Sequence, residues 1–277
     1  MLTTIVDAHF LLDGGAMNGI VPRALWSRPH PPDADNRIDL VMRLTLFEEK
    51  ASGRLWLVEA GMGDGWDEKE TGIYGIRKVD GGAVPQLRRR GIAPEDVTDL
   101  ILTHLHWDHC AGAFTREGGA IGLTFPRARL HVQRRQLDWA LSPPLKDAGS
   151  YRPEDMALLA SSTGLTLADG EAALSPAVSV APLFGHTDGM QTVTIREGGE
   201  TFVVAADLVP MFSHVRIPWV MAYDNRPLVT IEEKTRFLEE AAGRGWTVIS
   251  VHDADTAAAR IRRTGEGRYE AVPVDLR

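Results

Sequence analysis

In the stretch LILTHLHWDHCAGAF, residues 100–114, three histidines and an aspartate fall within six consecutive positions. Imidazole nitrogen and carboxylate oxygen are the donors that suit zinc and its first-row neighbours. The whole chain has nine histidines, so this concentration points to a metal site rather than to a polar strand end. His104 and His106 are two apart and, on an extended strand, would face one side and hold one ion together. The chain must then turn for Asp108 and His109 to reach a second ion.

One such cluster fills only part of two coordination spheres. Three further donors end apolar runs in the second half: His186 in APLFGHTDG, Asp207 in TFVVAAD and His252 in WTVISVHD. Each repeats the grammar of His104, an apolar strand and then a ligand, and a sheet is rigid enough to hold such groups in place.

The elements that must position these residues follow from hydrophobic pattern. Residues 38–49 and 54–61 read as a hairpin around EKASG, and 98–104 as a strand buried on both faces. Helices are expected at 84–91, 133–141, 153–161 and 230–245, the last with Thr230 as N-cap and Gly243 or Gly245 as its end. Strands are expected at 128–132, 177–184, 191–197, 201–206 and 246–252. The stretches 14–37 and 61–82 read as loops, an arm over a pocket or a contact in a homodimer. Two successive halves of strands and helices predict an α/β chain of one domain, residues 1–277, with sheets packed face to face and helices outside.

The totals exclude several classes. Apolar residues make up 44% and charged residues 25% of 277, with a formal net charge of −8, ordinary for a soluble protein. The densest basic cluster, LRRRG at 87–91, is too small for a nucleic-acid stripe. No apolar run reaches the roughly 18 residues of a membrane-spanning helix, and the N-terminus shows no signal-peptide pattern. Cys110 is the single cysteine, so there is no intrachain disulfide; it reads as a small buried hydrophobe. A cytoplasmic location is expected.

HLHWDH followed by His186, Asp207 and His252 resembles the metallo-β-lactamase superfamily over roughly residues 38–260. The resemblance implies a four-layered αββα sandwich and two divalent ions, zinc or else manganese, cobalt or iron. His104, His106 and His186 would hold the first, Asp108, His109 and His252 the second, and Asp207 would bridge. A carboxylate bridge is similar to the lactonase, glyoxalase II and organophosphate-hydrolase branches, with the N-acyl-homoserine-lactonase-like group nearest. Two positions depart from it: Glu59-Ala60-Gly61 stands where Asp-Thr-Gly is usual, and Pro210 where those lactonases carry tyrosine.

The expected chemistry is hydrolysis of a lactone or other carboxylic ester by hydroxide bridging the ions. Two such ions lower the pKa of bound water from 15.7 to about 7, and after Asp108, Asp207 and hydroxide are counted the site keeps about +1 for a developing oxyanion. Asp108 is the candidate for passing a proton to the leaving oxygen. His214, Trp219, Met221 and Tyr223, in the segment after the bridge, are candidates for the substrate pocket, and Trp107 for packing. Phosphotriester hydrolysis, thiolester cleavage and a di-iron redox role are the competing readings.

Overall fold

The computed structural model describes residues 1–276. Its first half forms a seven-stranded sheet in the order β4-β1-β2-β3-β5-β8-β9. These strands are β1 (Leu2–Asp13), β2 (Arg37–Glu49), β3 (Arg54–Val58), β4 (Arg77–Lys78), β5 (Asp99–Ile101), β8 (Arg129–Gln133) and β9 (Leu165–Ala168). A small hairpin, β6 (Phe114–Glu117) with β7 (Ala120–Leu123), stands apart from it. The second half forms another seven-stranded sheet in strict sequence order: β10 (Ala172–Ala173), β11 (Val178–Leu183), β12 (Met190–Glu197), β13 (Glu200–Val204), β14 (Thr247–Ile249), β15 (Ala258–Gly265) and β16 (Arg268–Pro273).

Leu40, Met42, Leu44, Trp56 and Leu100 from the first sheet share one buried cluster with Val193, Ile195, Val204 and Ile249 from the second. The sheets therefore pack face to face, as the apolar runs require. Helices cover the outsides. α4 (Ala83–Arg89) packs on β1, α6 (Arg134–Leu141) on β8 and α7 (Pro153–Ser161) on β9, while α8 (Pro227–Arg244) packs on β15. The expected αββα sandwich is the observed one. Four short helices complete the chain: α1 (Gly14–Asn18), α2 (Arg23–Trp26), α3 (Glu68–Tyr74) and α5 (Trp107–Cys110).

The hairpin around EKASG forms as read, with Glu49 opposite Arg54. Other expectations are corrected. The arm at 14–37 holds α1 and α2, and the stretch at 61–82 holds α3, β4 and the residues that cap α3. α8 begins at Pro227, so Thr230 is a buried helical residue rather than the N-cap, and Gly245 in the left-handed region ends it. Pro227 at the first helical position, where no backbone donor is needed, sets that start.

Candidate metal centre

Four of the seven candidate donors occupy equivalent places. His104 lies three positions past Ile101, His186 three past Leu183, Asp207 three past Val204 and His252 three past Ile249, each of these being the last residue of its strand. β13 and β14 run parallel, and β11 shares their sense through β12, so the second sheet sends three donors to one edge. The sheets are joined at that edge by main-chain bonds, Val41 N–H to the His252 carbonyl (3.2 Å) and Gln191 N–H to the Thr103 carbonyl (2.8 Å). The buried Arg43 adds bonds to the carbonyls of Ser250 (2.7 Å) and Asp253 (2.9 Å).

His104 and His106 do not share a strand face, because β5 has ended at Ile101. They converge from a loop through different ring atoms, Nε2 of one lying 3.1 Å from Nδ1 of the other. The turn expected after them is α5, which starts at Trp107 and carries Asp108 and His109 on successive positions.

The protons on these rings can be placed by chemistry. The carbonyl of Val41 accepts from His252 Nδ1 (2.9 Å), and carboxylates accept from His186 Nδ1 (Asp224, 2.9 Å), His109 Nδ1 (Glu59, 3.0 Å) and His106 Nε2 (Asp147, 3.2 Å). Thr103 gives its hydroxyl proton to Glu59 and so accepts from His104 Nδ1 (3.1 Å). Carbonyls and carboxylates offer no proton, so each ring carries one on its outer nitrogen, and whenever the ring is neutral its inner nitrogen is a bare lone pair.

Those lone pairs then face one another. His104 Nε2, His106 Nδ1 and His186 Nε2 form one triad, with 3.2 Å between the last two. His109 Nε2 and His252 Nε2 are 3.1 Å apart, and Asp108 Oδ2 lies 3.5 Å from both. Asp207 sits between the groups, Oδ2 at 3.3 Å from His186 and Oδ1 at 3.1 Å from His252. Its Oδ1 is buried and accepts no hydrogen bond. Opposed lone pairs and an orphaned carboxylate oxygen call for a cation between them, so the donor set fits bound metal.

The electrostatics agree. Burial, and then the neighbouring rings His109 and His106, hold His104 well below the usual imidazole range. Burial would also lower His109, but the carboxylates of Asp108, Asp207 and Glu59 outweigh it and raise that ring well above its usual value. Positive charge is favoured at this spot. Two non-glycine residues with left-handed backbones flank it, Glu59 (φ 67°) and Ala206 (φ 49°), a conformation that costs energy and is tolerated where surroundings enforce it.

A family model described as the metallo-beta-lactamase superfamily matches residues 45–272. The chain belongs to that superfamily. N-acyl homoserine lactonase AttM of Azorhizobium caulinodans is 38% identical over 80 residues, 29% of this chain and 27% of that protein. AttM of Agrobacterium fabrum is 37% identical over 76 residues, 27% of this chain and 26% of that protein. These matches span about a quarter of the relatives' own length. Among solved structures, a probable metal-dependent hydrolase from Staphylococcus aureus superposes with a TM-score of 0.87 at 23% identity, over 100% of this chain and 97% of that one. AidC, a dizinc quorum-quenching lactonase solved with its product, gives a TM-score of 0.82 at 20% identity, over 100% and 95%. At such identities the structural likeness is one of fold.

In this metallo-β-lactamase sandwich a cavity of about 270 Å³ opens onto the donors. His106, Asp108, His186, Asp207 and His252 form its floor, and Leu12, Met17, Tyr74, Trp107, Lys146 and Tyr223 form its walls. A larger groove of about 720 Å³, around Leu2, Glu197 and Leu276, includes none of the seven donors. Of the pocket candidates in the segment after Asp207, Tyr223 lines the cavity, its phenol pushed up to about 12 by burial and the Asp108 charge. His214, Trp219 and Met221 do not line it. They are buried behind it, His214 donating from Nε2 to the Met17 carbonyl (2.9 Å), because the α1 arm lies over them. Trp107 both walls the cavity and packs on Tyr74, with ring centroids 4.6 Å apart.

Sequence reading missed the residues that orient the rings: Thr103, Asp147 and Asp224, and Glu59 in that capacity. Glu59 carried a signal, a carboxylate directly after β3; Asp147 and Asp224 sit in irregular segments and carried none. Cys110 is buried, as expected, and burial raises its thiol pKa well above normal.

Proposed function

We propose that this chain is a dinuclear metal-dependent hydrolase that opens lactones or cleaves carboxylic esters. The observation that carries the reading is the set of inward lone pairs beside the unpartnered Asp207 oxygen. His104, His106 and His186 would hold one ion, Asp108, His109 and His252 the other, and Asp207 would contact both. Bound there, a pair of divalent cations, zinc or a first-row neighbour, supplies Lewis acidity toward a carbonyl oxygen and hydroxide at neutral pH.

The chain's own residues do the rest. Asp147, Asp224, Glu59 and the Val41 carbonyl hold the outer proton and the ring angle, so no ring must rotate before it can act. Asp108 lines the cavity and, beside its place in the second donor set, would relay a proton from the attacking water to the leaving oxygen. Leu12, Met17 and Trp107 exclude water from the floor, which strengthens every charge interaction inside. Tyr223, a protonated phenol on the wall, is the donor available to a polarised carbonyl where Pro210 offers none. The modest cavity favours a planar ester over a phosphotriester with three bulky arms. The local identity to lactonases, and the fold shared with a product-bound lactonase, support the same choice.

The test is an assay of metal-loaded protein against an acyl-homoserine lactone, an aryl ester and an aryl phosphotriester, with metal counted per chain. Hydrolysis of the first two, abolished by chelation, with two metals falling to about one in His252→Ala, is the expected result. No hydrolysis by loaded protein, or a single metal in the wild type, overturns the reading.

A further inference from the structure

Between Gly63 and Arg77 no residue is buried, although α3 and the wall residue Tyr74 lie in this stretch. A helix without a buried face gains little from packing and must be held by other means. A capping box of Asp67 and Glu70 fixes its start, and two arginines hold the segment from outside. Arg37, fixed through Nε by Asp33 (2.9 Å), donates from Nη1 to the carbonyls of Gly72 (3.2 Å) and Ile73 (2.9 Å) in the last turn of α3. Arg152 stacks its guanidinium on Trp66, 3.9 Å from the ring centroid. Trp66 in turn meets Trp107 at 5.0 Å and Tyr74 at 5.8 Å.

The ends of the segment are glycines in the left-handed region. Gly63 has φ 59°, and a Cβ there would lie 2.5 Å from the Ala111 carbonyl oxygen; Gly75 has φ 53°, and its Cβ would meet Leu11 at 2.6 Å. Both places need the freedom and the small size of glycine. A surface helix pinned by two side chains between two such joints is a cap. Its inner face presents Tyr74, which lines the cavity and whose ring rests on Trp107.

We propose that Tyr74 is a specificity-determining residue that contacts the substrate and is delivered to the cavity by a hinged cap, residues 63–75, latched by Arg37 and Arg152. This rests on the hydrolytic reading above and adds to it the residue that roofs the bound ester and the part that must move to admit it. With the cap latched, the phenol donates a hydrogen bond to an acceptor of the bound ester and Trp107 stays covered. With the latch broken, Tyr74 leaves the wall and the cavity opens to water.

The test uses metal-loaded full-length protein and two measurements. Amide hydrogen exchange over 63–76 needs no turnover; Arg37→Ala should speed it by about tenfold while the exchange of β2 and β5 stays as in the wild type. Kinetics on the ester or lactone that the wild type hydrolyses should show Tyr74→Phe losing about tenfold in kcat/KM at an unchanged melting temperature, the loss expected for one hydrogen bond. Arg152→Ala should raise KM more than it lowers kcat. Unchanged exchange in Arg37→Ala, or wild-type kinetics in Tyr74→Phe beside an active wild type, overturns the proposal. An inactive wild type instead overturns the hydrolase reading and leaves the exchange result to decide on the cap.

Discussion

The Asp224 carboxylate ties His186 to the main chain: Oδ1 accepts from His186 Nδ1 at 2.9 Å and Oδ2 accepts from the Met221 N–H at 3.0 Å. The ring of His186 is thereby held at a fixed angle and tautomer by a group that does not itself reach the cation position.

Asp224→Asn should test that arrangement. An amide can still occupy the space, but it no longer demands the proton on Nδ1. Metal affinity should fall about 10- to 100-fold, read by competition with a coloured chelator, while the far-ultraviolet circular dichroism stays that of the wild type. Wild-type affinity would show that the carboxylate charge is irrelevant to the site.

Lys234 is buried in α8 and donates to the Trp219 carbonyl. Burial pulls its ammonium down from 10.5 to about 8, the charge of Asp224 opposing only in part. Between these two values the folded chain has shed the proton that the unfolded chain keeps. Stability therefore rises with pH through this window and is lowest below pH 8. At about 1.4 kcal/mol per unit the full effect is bounded near 3 kcal/mol. Urea unfolding at pH 7.5, 8.5 and 9.5 should show the rise in the wild type, and Lys234→Met should flatten it.

Arg43 is buried inside β2, in a stretch from Leu40 to Phe47 that is buried on both faces, and its guanidinium bridges to the carbonyls of Ser250 and Asp253 just beyond β14 of the other sheet. Arg43→Lys keeps the charge but not the fork. We expect a loss of about 2–4 kcal/mol, seen as a drop of roughly 4–16 °C in melting temperature. A second readout is weaker retention of the ion assigned to His252, two residues beyond the Ser250 carbonyl.

Much of this was legible in the chain itself. The seven donors stood out because four of them, His104, His186, Asp207 and His252, follow apolar runs and the other three crowd within five positions of His104; runs of Val, Ile and Leu cannot be placed anywhere but inside. β1 was harder to read, since its alternation is broken by a bulge between Val6 and Ala8. β15 and β16 escaped notice because they lie at a sheet edge, where arginines alternate with short apolar residues and the period looks like loop. α3 carries no apolar stripe because it buries no face. His214, Trp219 and Met221 were assigned to the pocket because composition cannot distinguish a cavity wall from the layer behind it. That distinction is made by the Ala222 N–H bonded to the Ala16 carbonyl at 2.8 Å, a contact between segments some two hundred positions apart.

The donors that reach the centre belong to both sheets, His104 following β5 of the first and His186, Asp207 and His252 following strands of the second. Any cation held there is a clasp across the seam of the sandwich. Shear of one layer over the other by a single residue, about 3.3 Å, would pull each triad apart, so loading the site should stiffen the whole molecule against sliding as well as equip it for chemistry.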